Sequence, residues 1–490
     1  MAQKIGVFVW ILAFAGMTVS GCGGSTASYT RARRAAAEGR MLAASEVRAE
    51  DFLAHHALDD APRPAPGVDL RAPVLLEARA GSASIPTTWS RAAVQVSLRG
   101  GVAFARYPSA IVVLVDVSGS MQEGDKMGAV RHALATLCER LDDRDRLAIV
   151  TFADHAHVAL APTDVAAHRR EVLDAIGQLS AYGGTNLYEG MSSALDLASR
   201  MHTADATTRI ILLSDGLPSV GVADPEAFEA LSRNAHEQSI SITTVGMGSA
   251  IDFALLDTIA RTAGGEFHYL DQPSEVEHLF AHELVALLAT AARDVRVRVR
   301  IPAGWSLAQS YSERSEVLGD VIETRVGDLA SDGAFVVLHE LAAPPGFGSV
   351  EVPVEVVLTF ADGTSTAVAE TRLHIARDES APRTPDDPSV LRNLTLGQTA
   401  LALRKGSGLA SAGDLLGAWN VLHTAIETTH ASIATLNAMG DGARAQSLLE
   451  PLELLDRGLR LLPVPPYEDP NGSPGWTVSP STADGFAGWR

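Results

Sequence analysis

The chain has few cysteines and fewer basic than acidic residues. Both features exclude classes of protein to which it could belong. Only Cys22 and Cys138 occur among 490 residues, so no framework of disulfide bonds is expected. Lysine and arginine total 39 against 59 acidic residues, a formal net charge of −20 that argues against a nucleic-acid partner. No glycine-rich P-loop follows any predicted strand, so no nucleotide is expected either. A hydrophobic content of 46% and the length predict a globular protein of two to four domains.

The most informative segment is an apolar run, residues 111–115, that leads directly into a D-x-S-x-S motif. A short β-branched run of this kind indicates a buried strand of a parallel sheet. Ligands of open α/β sheets bind beyond the carboxyl ends of the strands, where Asp116, Ser118 and Ser120 stand here. Carboxylate and hydroxyl oxygens suit magnesium, manganese or calcium rather than zinc or copper. The motif therefore predicts a metal site at the edge of a sheet.

Two more oxygen donors follow at similar places along the chain. Thr185 ends a glycine-rich loop, residues 182–186, just before a stretch with helical character. A second apolar strand, residues 209–213, is closed by Ser214, Asp215 and Gly216. An Asp, Ser and Gly cluster after a strand also forms ordinary turns, through side-chain hydrogen bonds to the backbone. The presence of Thr185 and Asp215 at matching positions favours the metal site over that alternative.

Together, the D-x-S-x-S motif, the lone threonine and the second aspartate resemble the metal-ion-dependent adhesion site of the von Willebrand factor type A (VWA) family. The resemblance covers roughly residues 109–291 and implies an α/β fold, a Rossmann-like, doubly wound and mostly parallel sheet. It implies that Mg²⁺, or alternatively Mn²⁺ or Ca²⁺, is the cofactor. The residues that it assigns to the metal are Asp116, Ser118, Ser120, Thr185 and Asp215, the last often through water.

The donor set predicts binding rather than catalysis. With only two carboxylates nearby, a Mg²⁺ ion keeps much of its Lewis acidity and can accept a Glu or Asp from a partner protein. A phosphohydrolase would need Asp-x-Asp, but position 118 is Ser118. A serine hydrolase would need G-x-S-x-G, whereas Asp116 and Ser120 flank that serine. No catalytic base accompanies the motif, so we expect that the protein is not an enzyme.

The N-terminus predicts export and a lipid anchor. Lys4 precedes an apolar stretch, residues 5–19, typical of a secretory signal. The stretch ends in Val-Ser-Gly-Cys, which resembles the bacterial lipobox and implies lipidation of Cys22. In lipoproteins, a residue other than Asp after the cysteine, here Gly23, favours the outer membrane, on its periplasmic or surface face. The alternative is an uncleaved signal or a single membrane anchor, for which the stretch is short.

Patterning, together with the two resemblances, predicts seven segments along the chain. They are a lipoprotein signal peptide (1–22), a tether with a helical N-terminal segment (23–71), a β segment packing with the later β module (72–108), the VWA domain (109–291), a β-sandwich-like module (292–377), a helical region with a helical hairpin of two or three helices (378–461) and a disordered tail (462–490).

Three smaller features carry predictions of their own. Strict alternation in residues 295–301 indicates a strand with one solvated face, whose arginines we expect to protect a sheet edge. Cys138 lies in an apolar helical pattern and is expected to be a buried free thiol. His278 and His282 have a spacing that can bind zinc, but a solvated helix face explains them better.

These features predict a membrane-anchored protein that binds an acidic side chain of a partner through Mg²⁺, in adhesion or in assembly of an envelope complex. The alternative is a structural scaffold of the cell envelope whose metal site is not needed for binding. Partner capture that persists in EDTA would favour the scaffold.

Overall fold

The computed structural model describes residues 27–62, 74–82, 84–85, 90–101, 108–203, 206–248, 251–270, 272, 275–276, 279–280, 290–331, 333–359, 365–378 and 385–462. The strands are β1 (Val74–Ala80), β2 (Ser84–Ile85), β3 (Arg91–Gly100), β4 (Ser109–Asp116), β5 (Arg146–Phe152), β6 (Ala156–Asp164), β7 (Thr207–Ser214), β8 (Ile240–Met247), β9 (Phe267–Leu270), β10 (Thr290–Arg300), β11 (Ser306–Ser310), β12 (Ser315–Leu318), β13 (Val321–Ala330), β14 (Ala334–Ala342), β15 (Val350–Thr359) and β16 (Ser365–Arg377). The α-helices are α1 (Ala27–Ala37), α2 (Ala49–Ala54), α3 (Lys126–Arg140), α4 (Arg169–Gly177), α5 (Leu187–Met201), α6 (Pro225–Glu237), α7 (Phe253–Thr262), α8 (Pro388–Ser411), α9 (Leu415–Ala438), α10 (Gly442–Ser447) and α11 (Leu449–Arg460).

An α/β sheet of order β6-β5-β4-β7-β8-β9 forms the middle of the chain. Its neighbours pair in parallel except β5 and β6, which form an antiparallel hairpin at one edge. Every residue of β4 and β7 is buried, because helices cover both faces of the sheet. The doubly wound, mostly parallel α/β fold expected from the sequence is confirmed. Val115 lies opposite Leu213, so β4 and β7 end level with each other.

Two further sheets pack face to face as a sandwich. Their orders are β1-β3-β14-β11 and β12-β13-β10-β15-β16-β2. Apolar residues that alternate along β3, β10 and β15 meet in one core, including Val96, Val297 and Val354. The strands before the α/β sheet in sequence thus belong to the same sandwich as the strands after it.

The edge-protection role expected for the arginines of residues 295–301 is wrong. Their strand, β10, lies between β13 and β15 and is not at an edge. The arginines instead pair with acidic residues: Arg296 and Arg298 both bind Glu323, and Arg300 binds Asp320. Strict alternation of apolar and charged residues indicates that one face of a strand is solvated. It does not indicate whether the strand pairs with one neighbouring strand or with two.

The C-terminal region contains four helices among the described residues, rather than two or three. Helices α8 and α9 form a hairpin, and α10 and α11 pack against them. The helical segment near the N-terminus is part of this unit and does not act only as a tether. Tyr29 and Phe52 share one apolar core with Leu396, Leu403 and Leu455.

Several predicted features lie outside the described residues. They are the signal peptide with Cys22, His278, His282 and the tail beyond residue 462. Among the helices that the structure describes, none combines the length and the apolar character needed to cross a bilayer. Cys138 is a buried free thiol, and burial raises its pKa to about 11.

Candidate functional site

The candidate site begins where β4 leaves the sheet. The backbone of Val117 is held from both sides: its N–H donates to the carbonyl of Phe152 at 2.9 Å, and its carbonyl accepts from Tyr182 N–H at 2.6 Å. Short 3₁₀ turns, Gly119–Asp125, then carry the chain across the sheet edge into α3. These contacts tie the D-x-S-x-S segment to the loop that carries Thr185.

Asp116 is fully buried at the end of β4. Its Oδ1 accepts a hydrogen bond from Ser118 N–H at 2.8 Å, and its Oδ2 accepts one from Ser214 Oγ at 2.7 Å. Among the residues that the structure describes, no cationic side chain forms an ion pair with it. Burial raises the pKa of the Asp116 carboxyl, and the hydrogen bonds from Ser118 and Ser214 oppose that rise. A desolvated carboxylate of this kind is stabilised by a nearby cation.

The two serines connect this carboxylate to the end of β7. Ser118 Oγ lies 3.1 Å from Ser120 Oγ, which in turn donates to Asp215 Oδ1 at 2.7 Å. Asp215 is buried like Asp116, whereas Ser120 is only partly covered. The hydroxyls and carboxylates therefore form one connected group, with Ser120 on the solvent side.

Thr185 reaches this group from the loop between α4 and α5. Gly183 adopts a left-handed conformation, with φ of 72°. A Cβ on Gly184 would lie 2.7 Å from Val220 Cγ2, so only glycine fits there without a shift. A Cβ built on Gly216 would lie 3.7 Å from Thr185 Oγ1 and 3.9 Å from Ser120 Oγ. The two hydroxyls therefore approach the same point beside Gly216.

The structure brings all five predicted residues to one edge of the sheet. Two polar neighbours were missed by the sequence reasoning: Ser214, which binds Asp116, and Lys126, whose Nζ lies 2.6 Å from Asp215 Oδ2. Ser214 could have been found from its place directly before Asp215, at the end of a strand expected to neighbour β4. Lys126 had no comparable signal, since it is an ordinary residue at the start of a helix.

The donors in this group are two carboxylates and three hydroxyls. Among the described residues, no cluster of three or more His, Cys, Asp or Glu has the spacing of a metal site. An all-oxygen set with few carboxylates suits a hard divalent cation that keeps open coordination positions. VWA domains often bind a divalent metal with such a set and commonly mediate protein–protein interaction.

Comparison with known proteins agrees with this fold. The family model described as von Willebrand factor type A domain matches residues 110–282. Protein YfbK of Escherichia coli is 27% identical over 283 residues, which cover 57% of this chain and 49% of YfbK. The chain thus spans about half the length of that relative. Protein sll0103 of Synechocystis is 26% identical over 363 residues, covering 71% of this chain and 84% of sll0103.

A eukaryotic relative and a solved structure match as well. Inter-alpha-trypsin inhibitor heavy chain H4 of Sus scrofa is 31% identical over 163 residues, which are 32% of this chain and 18% of the heavy chain. The structure of a von Willebrand factor type A protein from Catenulispora acidiphila superposes with a TM-score of 0.60 at 19% identity, covering 74% of this chain and 87% of that one. Residues 110–282 of this chain therefore match the von Willebrand factor type A domain and share its α/β fold.

Proposed function

We propose that the VWA domain binds a protein partner through a divalent cation, Mg²⁺ in preference to Mn²⁺ or Ca²⁺, held at the carboxyl ends of β4 and β7. One observation carries this proposal. Five oxygen donors from three separate segments converge at one sheet edge, around a buried aspartate that has no cationic partner among the described residues. Ordinary turn residues would not need to converge in this way.

Each residue has a distinct part in the proposed site. Asp116 ends β4 and is followed at once by Ser118 and Ser120, whose hydroxyls lie 3.1 Å apart, while Thr185 and Asp215 complete the set from neighbouring loops. When bound, the cation supplies a Lewis-acidic position that accepts a Glu or Asp side chain of the partner. Three of the five donors are neutral hydroxyls, so the cation keeps Lewis acidity and an open position for the partner's carboxylate.

Apolar side chains near the site fit a protein partner better than a small carboxylate. Tyr182 and Leu217 are each 55% exposed, and Val222 is 40% exposed. All three lie in the two loops that carry Thr185 and Asp215. These loops contact each other, since Ser219 N–H donates to Thr185 O at 3.0 Å. Exposed aromatic and aliphatic side chains around a polar anchor are typical of binding surfaces.

The proposed place of action is the bacterial cell envelope, with the protein held by lipid on Cys22 and facing the periplasm or the cell surface. The apolar stretch ending in Val-Ser-Gly-Cys supports this proposal. Metabolic labelling with a radioactive fatty acid tests it. We expect label on the wild-type protein and none on Cys22→Ala, which should leave the membrane fraction. Label on both proteins would contradict the proposal.

Calorimetric titration with Mg²⁺ tests the metal site directly. Asp116→Ala should abolish Mg²⁺ binding while the far-UV circular dichroism stays native. The matched control is Asp196→Ala, which removes an exposed carboxylate on α5 that forms an ion pair with Arg200. Undiminished Mg²⁺ affinity in Asp116→Ala would overturn the proposal.

Affinity capture from solubilised membranes tests the partner. We expect capture in Mg²⁺, and loss of it both in EDTA and with Asp116→Ala. Capture that persists unchanged in EDTA would identify the protein as a scaffold whose metal is not needed for binding.

A further inference from the structure

Lys126 places a cation inside the proposed metal site. Its ammonium lies 2.6 Å from Asp215 Oδ2 and 3.4 Å from the carbonyl oxygen of Ser120. The other oxygen of Asp215 accepts the hydrogen bond from Ser120 Oγ. Both carboxylate oxygens of Asp215 therefore accept hydrogen bonds, and the one on Oδ2 comes from the positively charged ammonium of Lys126. The Lys126 side chain is only 15% exposed and that of Asp215 is fully buried, so solvent screens this ion pair weakly.

The backbone before α3 positions this lysine. Gly124 and Asp125 both adopt left-handed conformations, with φ of 60° and 58°, and reverse the chain at the start of the helix. Lys126 is the first residue of α3, at the end of the helix dipole that is unfavourable for a cation. A Cβ built on Gly248 would lie 3.8 Å from both Cε and Nζ, so the side chain extends past the end of β8. The ion pair with Asp215 offsets the cost of this placement.

We propose that Lys126 is an internal competitor of the metal: its ammonium occupies Asp215 Oδ2, and a divalent cation bound at this carboxylate must either displace it or bear its repulsion. This inference rests on the proposed function. The ammonium and a divalent cation at the same carboxylate repel each other. Asp215 Oδ2 cannot bind both of them at once. Lys126 should thus lower the metal affinity and keep the metal-free site assembled.

Replacement of the charge tests this proposal on the full chain. Lys126→Met keeps the aliphatic stem, and we expect it to bind Mg²⁺ roughly tenfold more tightly by calorimetry, since a single and a double charge about 4 Å apart repel appreciably even in water. Without metal, its unfolding temperature should fall below that of the wild type, and saturating Mg²⁺ should restore it. The control is Lys405→Met, which removes an exposed lysine on α8 and should change neither quantity. Lys126→Gln is the second variant if Lys126→Met does not fold.

The outcomes separate this proposal from the proposed function. Equal or weaker Mg²⁺ affinity in Lys126→Met, with normal binding by the wild type, would overturn the role of Lys126 and leave the metal site standing. Mg²⁺ binding by Lys126→Met but not by the wild type would support both proposals, provided that the double variant Lys126→Met, Asp116→Ala loses the binding again. Absence of Mg²⁺ binding in the wild type and in both lysine variants would overturn both.

Discussion

Ser214 Oγ donates a hydrogen bond of 2.7 Å to Asp116 Oδ2, although the two residues lie 98 positions apart in the sequence. The contact forms because β4 and β7 are neighbours and end at the same level. It fixes one oxygen of the buried carboxylate, while Ser118 N–H fixes the other. Strand β7 thus ends in a group that orients Asp116, and the next residue along the chain is the candidate ligand Asp215.

Ser214→Ala should weaken Mg²⁺ binding by about 10- to 100-fold, the usual effect of losing a partner that orients a metal ligand. The free energy of unfolding should fall by about 1–3 kcal/mol, since an oxygen of the buried carboxylate loses its donor and Gly216 N–H loses an acceptor 3.4 Å away. Calorimetry and chemical denaturation measure the two effects. Ser199→Ala serves as the control, because it removes a hydroxyl on α5 that donates to Leu195 O and to Gln238 Oε1, away from the site. Wild-type affinity in Ser214→Ala would show that the carboxylate does not need this contact.

Leu217→Ser should weaken partner binding roughly five- to tenfold and leave Mg²⁺ affinity unchanged, because the side chain is exposed beside the site and supplies apolar contact only. Surface plasmon resonance with the captured partner, together with calorimetry, separates the two quantities. Leu416→Ser is the control, since that leucine is 57% exposed at the start of α9. A parallel loss of metal and partner binding would count against an apolar contact surface.

His339 should make the sandwich less stable as the pH falls. The imidazole is fully buried in β14, and burial lowers its pKa from 6.5 to about 4. Between these two values the unfolded chain binds a proton that the folded protein does not, so stability is present above pH 6.5 and is lost as the pH decreases towards 4. The loss attributable to this residue should be roughly 2–3 kcal/mol.

The measurement is chemical denaturation at several pH values between 7 and 4. His339→Gln should reduce the dependence on pH. Residual dependence is expected from His55, because burial and the neighbouring His56 lower its pKa to about 3. An unchanged slope in His339→Gln would rule out its contribution.

Arg392→Met should destabilise the unit formed by the N-terminal and C-terminal helices by about 3–5 kcal/mol. The buried guanidinium of Arg392 pairs with Asp59 at 2.8 Å and also with Asp60. Without it, the fully buried Asp60 keeps Arg444 and Asn393 but loses a charge partner. Thermal unfolding of the full chain measures the effect.

Arg460→Met is the matched control for that change. It breaks an exposed ion pair with Asp456 on α11 and should cost less than about 1 kcal/mol. Limited proteolysis gives a second readout, because loosening of the N-terminal segment in Arg392→Met should expose it to cleavage near residue 60. Equal stability of the two variants would show that the N-terminal helices do not depend on this ion pair.

The α/β fold and the members of the candidate site could be predicted from local sequence. A fully apolar run indicates a strand buried on both faces, and a parallel sheet places the ends of such strands on one edge. The D-x-S-x-S motif after β4 and Asp215 after β7 could therefore be assigned to the same place before any distance was known. Thr185 required the resemblance as well, since a threonine after a glycine-rich loop has many uses.

Tertiary structure alone decided the contacts between distant segments. The partnership of Ser214 with Asp116 depends on strand register, and that of Lys126 with Asp215 depends on two left-handed residues before α3. The place of β10 in the middle of its sheet depends on which strands fold against it, and alternation does not encode this. Arg392 and Asp60 meet across 332 positions because the N-terminal helices complete an apolar core with the C-terminal ones. Periodicity and motifs in the sequence determine which faces of the strands are buried and which oxygen donors the site contains. Tertiary packing determines which charged and polar side chains, such as Lys126 and Ser214, contact those donors.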